Sequence, residues 1–484
     1  MNKRSLEFSG LQNSNPEVKK QKFTDDKKRD RPEKINESIL INPALEKKIE
    51  VNVKRLSTLQ TKENLKQCFM NPVLNIESPG LFNFTNCGQI PHVTADLAST
   101  NNLMGEVSII SLQSVINHPG PEVLEKLDMS LSVYMKISDK IIITPFNSSD
   151  PTDLTRFNDQ LGVSVWGKSG RKKITSKDFL HFIKIAKPEM FVSMSDVVPA
   201  TVSKKRADKS CYRTLNWLNE AITSIAHSVK KSAILVPIPG SGHKDLMMKS
   251  ASILSTRDVF GYVIERCTLP THNWQGLVSD IISILPSSRP VVMLGVLNEY
   301  EMVEAYFCGC HFVDSSFVAH FSNTGHALTL NIKEPVKLQE LTENQGGNTA
   351  EMSSDFGPNL AVYIPQQDHA SHVKINRDNG KVSIFKPNHY IPSDVPFILD
   401  LTLPKFALQF LPIEEGCKCF SCVNYTQGYI NHLLITKELL APTLLMLHNL
   451  HHVKELVKQV KNCLQQGNLI QYIKKFRTIF SIAV

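Results

Sequence analysis

Three cysteines fall within six residues, Cys417-Lys418-Cys419-Phe420-Ser421-Cys422, and 25 residues later comes His448. Thiols so spaced cannot all lie on one side of a helix or strand, so they require a tight knuckle. Three thiolates and one imidazole arriving from elsewhere close a tetrahedral shell of soft donors, which suits a structural Zn2+. The alternative is a cysteine-rich loop beside an unrelated core histidine, but soft-ligand clustering of this kind is rare away from metal. Asp196 and Asp314 are the other two residues whose type and place point to chemistry. Each closes a run of strand-forming residues. A carboxylate there can serve as a nucleophile or move a proton, and it can equally cap a loop.

The elements that must position these groups can be read from periodicity. Short β-rich runs alternate with helical patterns from Ile141 onward, as in β/α units around a parallel sheet. Strands are expected at 140–145, 191–195, 233–238, 260–264, 291–296 and 311–313, with a hairpin over 163–175. Helices are expected from a cap at Ser176, along a stripe from Cys211 to Val229, and over 243–254, 272–285 and 298–307. Repeated units over this length fit a TIM-type (β/α)8 barrel, whose active sites lie at the C-terminal strand ends, where Asp196 and Asp314 fall. A doubly wound sheet is the alternative, because periodicity does not show closure. Apolar residues at helical spacing across 429–448, with Pro442 opening the last helix, would return His448 to the knuckle. A final helical pair is expected over 453–480, joined near Gly467.

The expected organisation is a charged, disordered extension over 1–65, a β/α barrel over 70–334 and a loop insertion over 335–395. A zinc-binding helical subdomain over 396–484 then completes the barrel. The 484 residues are 42% hydrophobic, enough for a large core. Met1 to Gly10 is charged rather than apolar, so no secretory signal is expected. The ten cysteines lack disulfide-like spacing outside the metal cluster and Cys308-Gly309-Cys310, which points to a reducing, intracellular compartment. A net charge of +8 permits contact with RNA phosphates without arguing strongly for it. Lys204, Lys205, Arg206 and Lys209 read as an ordinary solvated face, with phosphate contact the alternative.

The spacing C-x-C-x2-C-x25-H resembles the zinc signature of the tRNA-guanine transglycosylases, and its flanks agree. Asn424-Tyr425, Tyr429, Asn431-His432-Leu433, Lys437-Glu438-Leu439-Leu440 and His448-Asn449-Leu450 look like that family's residues around its metal. The resemblance covers about residues 85 to 465 and is densest over 410–452. It implies a barrel carrying one Zn2+ per subunit on Cys417, Cys419, Cys422 and His448. Asp314, in His311-Phe312-Val313-Asp314-Ser315-Ser316, looks like the family's nucleophile within D-x-F-D-C-V, and Asp196 fits its second aspartate.

The family's pocket is another matter. Its P-T-R-x-x-R-N-G reads here Val318-Ala319-His320-Phe321-Ser322-Asn323-Thr324-Gly325, without either arginine. Its V-Q-G-G reads Val236-Pro237-Ile238-Pro239-Gly240, and proline offers neither a side-chain donor nor a backbone N–H. Its A-V-G-G loop becomes Val263-Ile264-Glu265-Arg266, bulky where glycines had made room. Its D-S-G-G-F-Q-V is eroded to Asp159-Gln160-Leu161-Gly162-Val163-Ser164-Val165. A kept metal signature beside a lost base pocket resembles the non-catalytic branch of the family.

Several expectations follow from that resemblance. The chain has no catalytic residue of its own, Asp314 and Asp196 being vestigial. It pairs as a heterodimer with a catalytic subunit that exchanges guanine for queuine at the wobble position of tRNAs with GUN anticodons, and it meets tRNA through that complex. It works in the cytoplasm, at most peripherally at the mitochondrial outer membrane. The alternatives are an active base-exchange enzyme with Asp314 as nucleophile and a zinc-dependent tRNA-binding scaffold.

Overall fold

Parallel strands covered on both faces need near-continuous apolar runs, and this chain supplies them. In the computed structural model, which describes residues 76–329 and 397–482 except 138, 146–157, 168–169, 227–231 and 467, eight such strands close into a barrel. The expected 1–65 extension and 335–395 insertion lie outside the described residues. In chain order the elements are β1 (Gly80–Thr85), α1 (Ala95–Thr100), β2 (Val107–Ser111), α2 (Leu112–Val115), α3 (Gly120–Leu127), α4 (Leu131–Met135) and β3 (Lys140–Thr144). A hairpin of β4 (Gly162–Gly167) and β5 (Gly170–Thr175) precedes α5 (Ser176–Ala186) and β6 (Met190–Val192). Then come α6 (Lys204–Ala226), β7 (Ala233–Pro237), α7 (Lys244–Ser255), β8 (Gly261–Glu265), α8 (Trp274–Ile284), β9 (Val291–Leu294), α9 (Glu299–Phe307) and β10 (Phe312–Asp314). Around the ring the order is β1-β10-β9-β8-β7-β6-β3-β2.

Alternation along each strand builds two apolar layers. Ile142, Val263, Val292 and Phe312 pack in the barrel interior. Their neighbours Ile141, Ile143, Tyr262, Ile264, Val291, Met293 and Val313 pack against the surrounding helices. The interior is a filled core, with the Phe82 and Phe312 rings stacked 4.8 Å apart between adjacent strands. Continued by two residues, the same alternation turns Glu265 and Asp314 inward at the C-terminal ends of β8 and β10.

The remaining elements are α10 (Ser316–Asn323), β11 (His326–Leu328), β12 (Ile398–Asp400), α11 (Phe420–Asn424), α12 (Gln427–Ile435), α13 (Leu440–Gln465) and α14 (Leu469–Ile482). α10, α14 and α13 from Met446 onward pack on the barrel core, whereas α11, α12 and the first turns of α13 enclose the separate core of an appended subdomain. β11 and β12 pair antiparallel in a two-stranded ladder.

Several sequence expectations need correction. The expected barrel does close, but its first two strands, β1 and β2, had no counterpart among the expected ones. Ser176 does not cap α5: Thr175 does, in a capping box with Asp178. β6 ends at Val192, so Asp196 sits in the loop beyond the strand, not at its last residue. The long helix begins at Lys204 rather than near Cys211. The final pair does not start at 453, because its first member is the 26-residue α13, the helix that also carries His448. Pro442 does lie in the first turn of that helix, where its missing N–H has no intrahelical partner to lose.

Candidate functional site

The metal cluster is built by two short elements and one long one. Cys419 caps α11, its Sγ accepting from the Cys422 N–H at 3.3 Å, and this turn makes the knuckle. The Ser421 hydroxyl donates to the Leu444 carbonyl at 2.6 Å and so fastens the knuckle to α13. From α13, His448 Nδ1 reaches Cys422, Cys419 and Cys417 Sγ at 3.3, 3.4 and 3.9 Å. A tetrahedral ion with Zn–S about 2.3 Å and Zn–N about 2.0–2.1 Å sets S···N separations near ~3.5 Å, so the donors are spaced for such an ion. All four ligand atoms lie within 4.8 Å of one another, and every residue except the half-buried Cys417 is buried. His448 Nε2 is bonded to the Leu328 carbonyl at 2.7 Å, which leaves the Nδ1 lone pair for a metal and fixes the ring. Hydrogen bonds from the Cys419 and Cys422 thiols pull the Cys417 thiol below its ordinary range, and the same contacts push the Cys422 thiol above its own, so without an ion the three sulfurs share protons and Cys417 is the thiolate.

The neighbouring Asn449 locks this arrangement to the barrel. Its side chain accepts from the Leu328 N–H and donates to the His326 carbonyl, both at 2.9 Å. A second grouping, Glu414 with His448 and His452, lies alongside. Both nitrogens of His448 are already engaged, so only the Glu414–His452 pair, 3.4 Å apart, remains there. Two donors do not make a site.

At the other end of the argument stand the carboxylates of the barrel mouth. β6 and β10 are four strands apart in a ring of eight, so Asp196 and Asp314 rise from opposite walls. Asp196 is held by both arms of Arg206 at 2.7 Å, by Arg213 at 2.8 Å and by the Asn158 amide at 3.2 Å. Its side chain is 0% exposed. Arg206 and Arg213 lie two turns apart on one face of α6, and that face turns inward. The reading of Arg206 as solvated is therefore corrected. Asp314, also fully buried, accepts from the Gly295 N–H at 2.7 Å.

Between these walls, Glu265 and Arg266 are buried as well. Glu265 accepts from the Ser195 hydroxyl at 3.1 Å, and burial pushes its carboxyl up to about 8, so it stands neutral at pH 7. Arg266 forks onto Glu301 at 2.6 and 2.9 Å and lies over the Trp274 ring at 5.2 Å. Pro239 is buried in the loop after β7, where Gly240 is needed because a Cβ would stand 2.6 Å from the Met247 backbone nitrogen. Sequence reasoning placed Glu265 and Arg266 in the way of a base. It missed Arg206, Arg213 and Asn158 as the partners of Asp196, and Glu301 as the partner of Arg266. The i, i+7 spacing of the two arginines ten residues after Asp196 was the available signal.

The outer surface of the subdomain is apolar. Phe420, Tyr425, Tyr429 and His432 form a ladder of rings with centroids 6.0, 5.8 and 6.3 Å apart. Exposed Leu408, Phe410, Val423, Ile435, Leu439 and Leu440 belong to the same subdomain.

The family model described as Queuine tRNA-ribosyltransferase matches residues 52–481. The chain is similar to "Queuine tRNA-ribosyltransferase accessory subunit 2" of Trichoplax adhaerens, 25% identical over 83% of this chain and 92% of the relative. The proteins of that name from Xenopus tropicalis and Homo sapiens are 26% and 25% identical, over 81% and 82% of this chain and 91% of each relative.

Proposed function

The chain belongs to the queuine tRNA-ribosyltransferase family, and from that premise we propose that it is the non-catalytic subunit of a two-subunit enzyme. Its partner is a catalytic member of the family, which exchanges guanine for queuine at the wobble position of tRNAs with GUN anticodons. The observation that carries this reading is the state of Asp196 and Asp314. Displacing a base from ribose requires a carboxylate within near-attack distance of the sugar carbon, with the departing base held in place. Here both carboxylates are enclosed and bonded by the chain's own groups. Arg266 and Glu301 neutralise each other where room for a purine would be needed. The name accessory subunit, borne by the relatives, supports the same division of labour.

In this reading Cys417, Cys419, Cys422 and His448 hold one Zn2+. With four protein ligands the ion has no open position, so it stabilises fold and offers no Lewis-acid chemistry. The same subdomain docks the partner. A ladder of exposed rings and leucines beside a rigid metal knuckle is a surface that burial against another protein would stabilise. We place this work in the cytoplasm, with any contact at the mitochondrial outer membrane peripheral. Among the described residues no helix is long and apolar enough to cross a membrane.

The test is to purify the chain alone and co-expressed with the catalytic family member, and to measure guanine exchange into tRNA. The expected result is no exchange by the chain alone, and exchange by a complex that co-elutes. Exchange by the chain alone, or failure of the two to co-elute, would overturn the proposal.

A further inference from the structure

At the face of the barrel opposite the carboxylates, the N-terminal ends of the strands leave a cavity of about 310 Å³. It lies where α13 meets the starts of β1 and β10 and the loop that enters β2. Leu81, Phe82, Met104, Phe312 and Val457 give it an apolar lining. Its charged groups are Glu77, Glu106, Lys454 and Lys461. Lys461 pairs with Glu77 at 3.7 Å. Lys454 is held differently. Its Nζ donates to the Met104 carbonyl at 2.7 Å and to the Asn102 carbonyl at 3.3 Å, while Asp139 and Glu106 act on it through charge alone. Burial pulls this amine down to about 8. A free amine has two N–H groups and one lone pair. The two carbonyls take both N–H groups, so the lone pair is left for the cavity that Lys454 lines.

We propose that Lys454 is a modification site, an amine nucleophile that takes a short, uncharged acyl group from a thioester entering this cavity. The Nζ lone pair attacks the thioester carbonyl and an N–C bond forms. The C–S bond breaks, and the leaving thiolate departs with the amine's proton as a thiol. The amide product keeps one N–H, enough for the Met104 carbonyl, and the Asn102 carbonyl, on an exposed residue, is left to solvent. The acyl chain then lies against Leu81, Phe312 and Val457. An acidic acyl group would bring a second carboxylate beside Glu77 and Glu106, so the cavity favours a neutral one. A lysine that only clasps the 102–104 loop to α13 would need neither a lone pair nor a cavity beside it. The proposal stands on the cavity and this amine, and is independent of pairing and of base exchange.

The probe is acetyl-CoA, incubated with the whole wild-type chain, with acetylation of each lysine followed by peptide mass spectrometry. Exposed Lys458, one turn further along α13, is the internal reference. At about pH 7.5 an amine with a pKa of about 8 is roughly a quarter free base, against about a thousandth for an ordinary lysine. Lys454 should therefore be acetylated roughly tenfold or more faster than Lys458. Its rate should level off above about pH 8, where an ordinary lysine still gains about tenfold per pH unit. With succinyl-CoA the ratio of Lys454 to Lys458 modification should fall by about tenfold, through repulsion from Glu77 and Glu106. A Lys454 rate no higher than that of Lys458 would overturn the proposal. So would a rate still rising about tenfold per unit beyond about pH 9, or an unchanged ratio with succinyl-CoA.

Discussion

At the scale of single residues the clearest consequence concerns Glu265. Its folded carboxyl lies at about 8, against an ordinary 4.5, because burial penalises the charged form. Below 4.5 the group is neutral in both states and contributes nothing to pH dependence. Between 4.5 and 8 the unfolded chain releases its proton while the folded chain keeps it, so stability falls as pH rises, by up to ~1.4 kcal/mol per pH unit. Glu265→Gln should flatten the melting temperature between about pH 5 and pH 8, and an unchanged pH profile would remove Glu265 as a buried neutral acid. A second residue-scale test is Cys419→Ala. It removes both a metal ligand and the cap of α11, and closed zinc sites contribute on the order of 10 kcal/mol of folding free energy. Loss of bound zinc and destabilisation of 397–482 are expected, whereas full zinc content by elemental analysis would contradict the ligand set. The four donors were legible in the sequence because soft ligands at fixed spacing are local chemistry. The arginine clamp on Asp196 was not, because composition does not say which face of α6 turns inward.

At the scale of elements, α13 separates core from docking surface. Apolar residues all round a helix imply cover on both sides, and the sequence left open whether the partner or the last helices provide it. The structure divides the answer within one helix. Leu444, Leu445, Met446 and Leu447 are buried by this chain alone. Leu439 and Leu440 are 81% and 37% exposed. Leu440→Glu should therefore weaken heterodimer formation by tenfold or more, from about 1.5 kcal/mol of lost leucine burial, with zinc content and monomer melting unchanged. Leu444→Glu should misfold the subdomain. If Leu440→Glu loses zinc, the residue is core and the docking face lies elsewhere. The length of α13 was not legible, since nothing in its sequence breaks the helix between His448 and Val453 and the two halves were read as separate elements.

At the scale of the whole molecule, barrel closure depends on β1 pairing with both β10 and β2. β/α periodicity announced the middle strands, but pairing between strands more than 200 residues apart in sequence leaves no local trace. The Asp314 carboxylate was placed at a strand end by sequence alone, yet whether it faced a substrate depended on closure and on what fills the mouth. That point carries the central claim, and one measurement reaches it directly: base exchange by the reconstituted complex carrying Asp314→Asn in this chain and an intact catalytic partner. The account predicts near-normal turnover with normal assembly. A fall of roughly a hundredfold or more with assembly unchanged, the size expected for losing positioned chemistry, would make Asp314 a working nucleophile and contradict it.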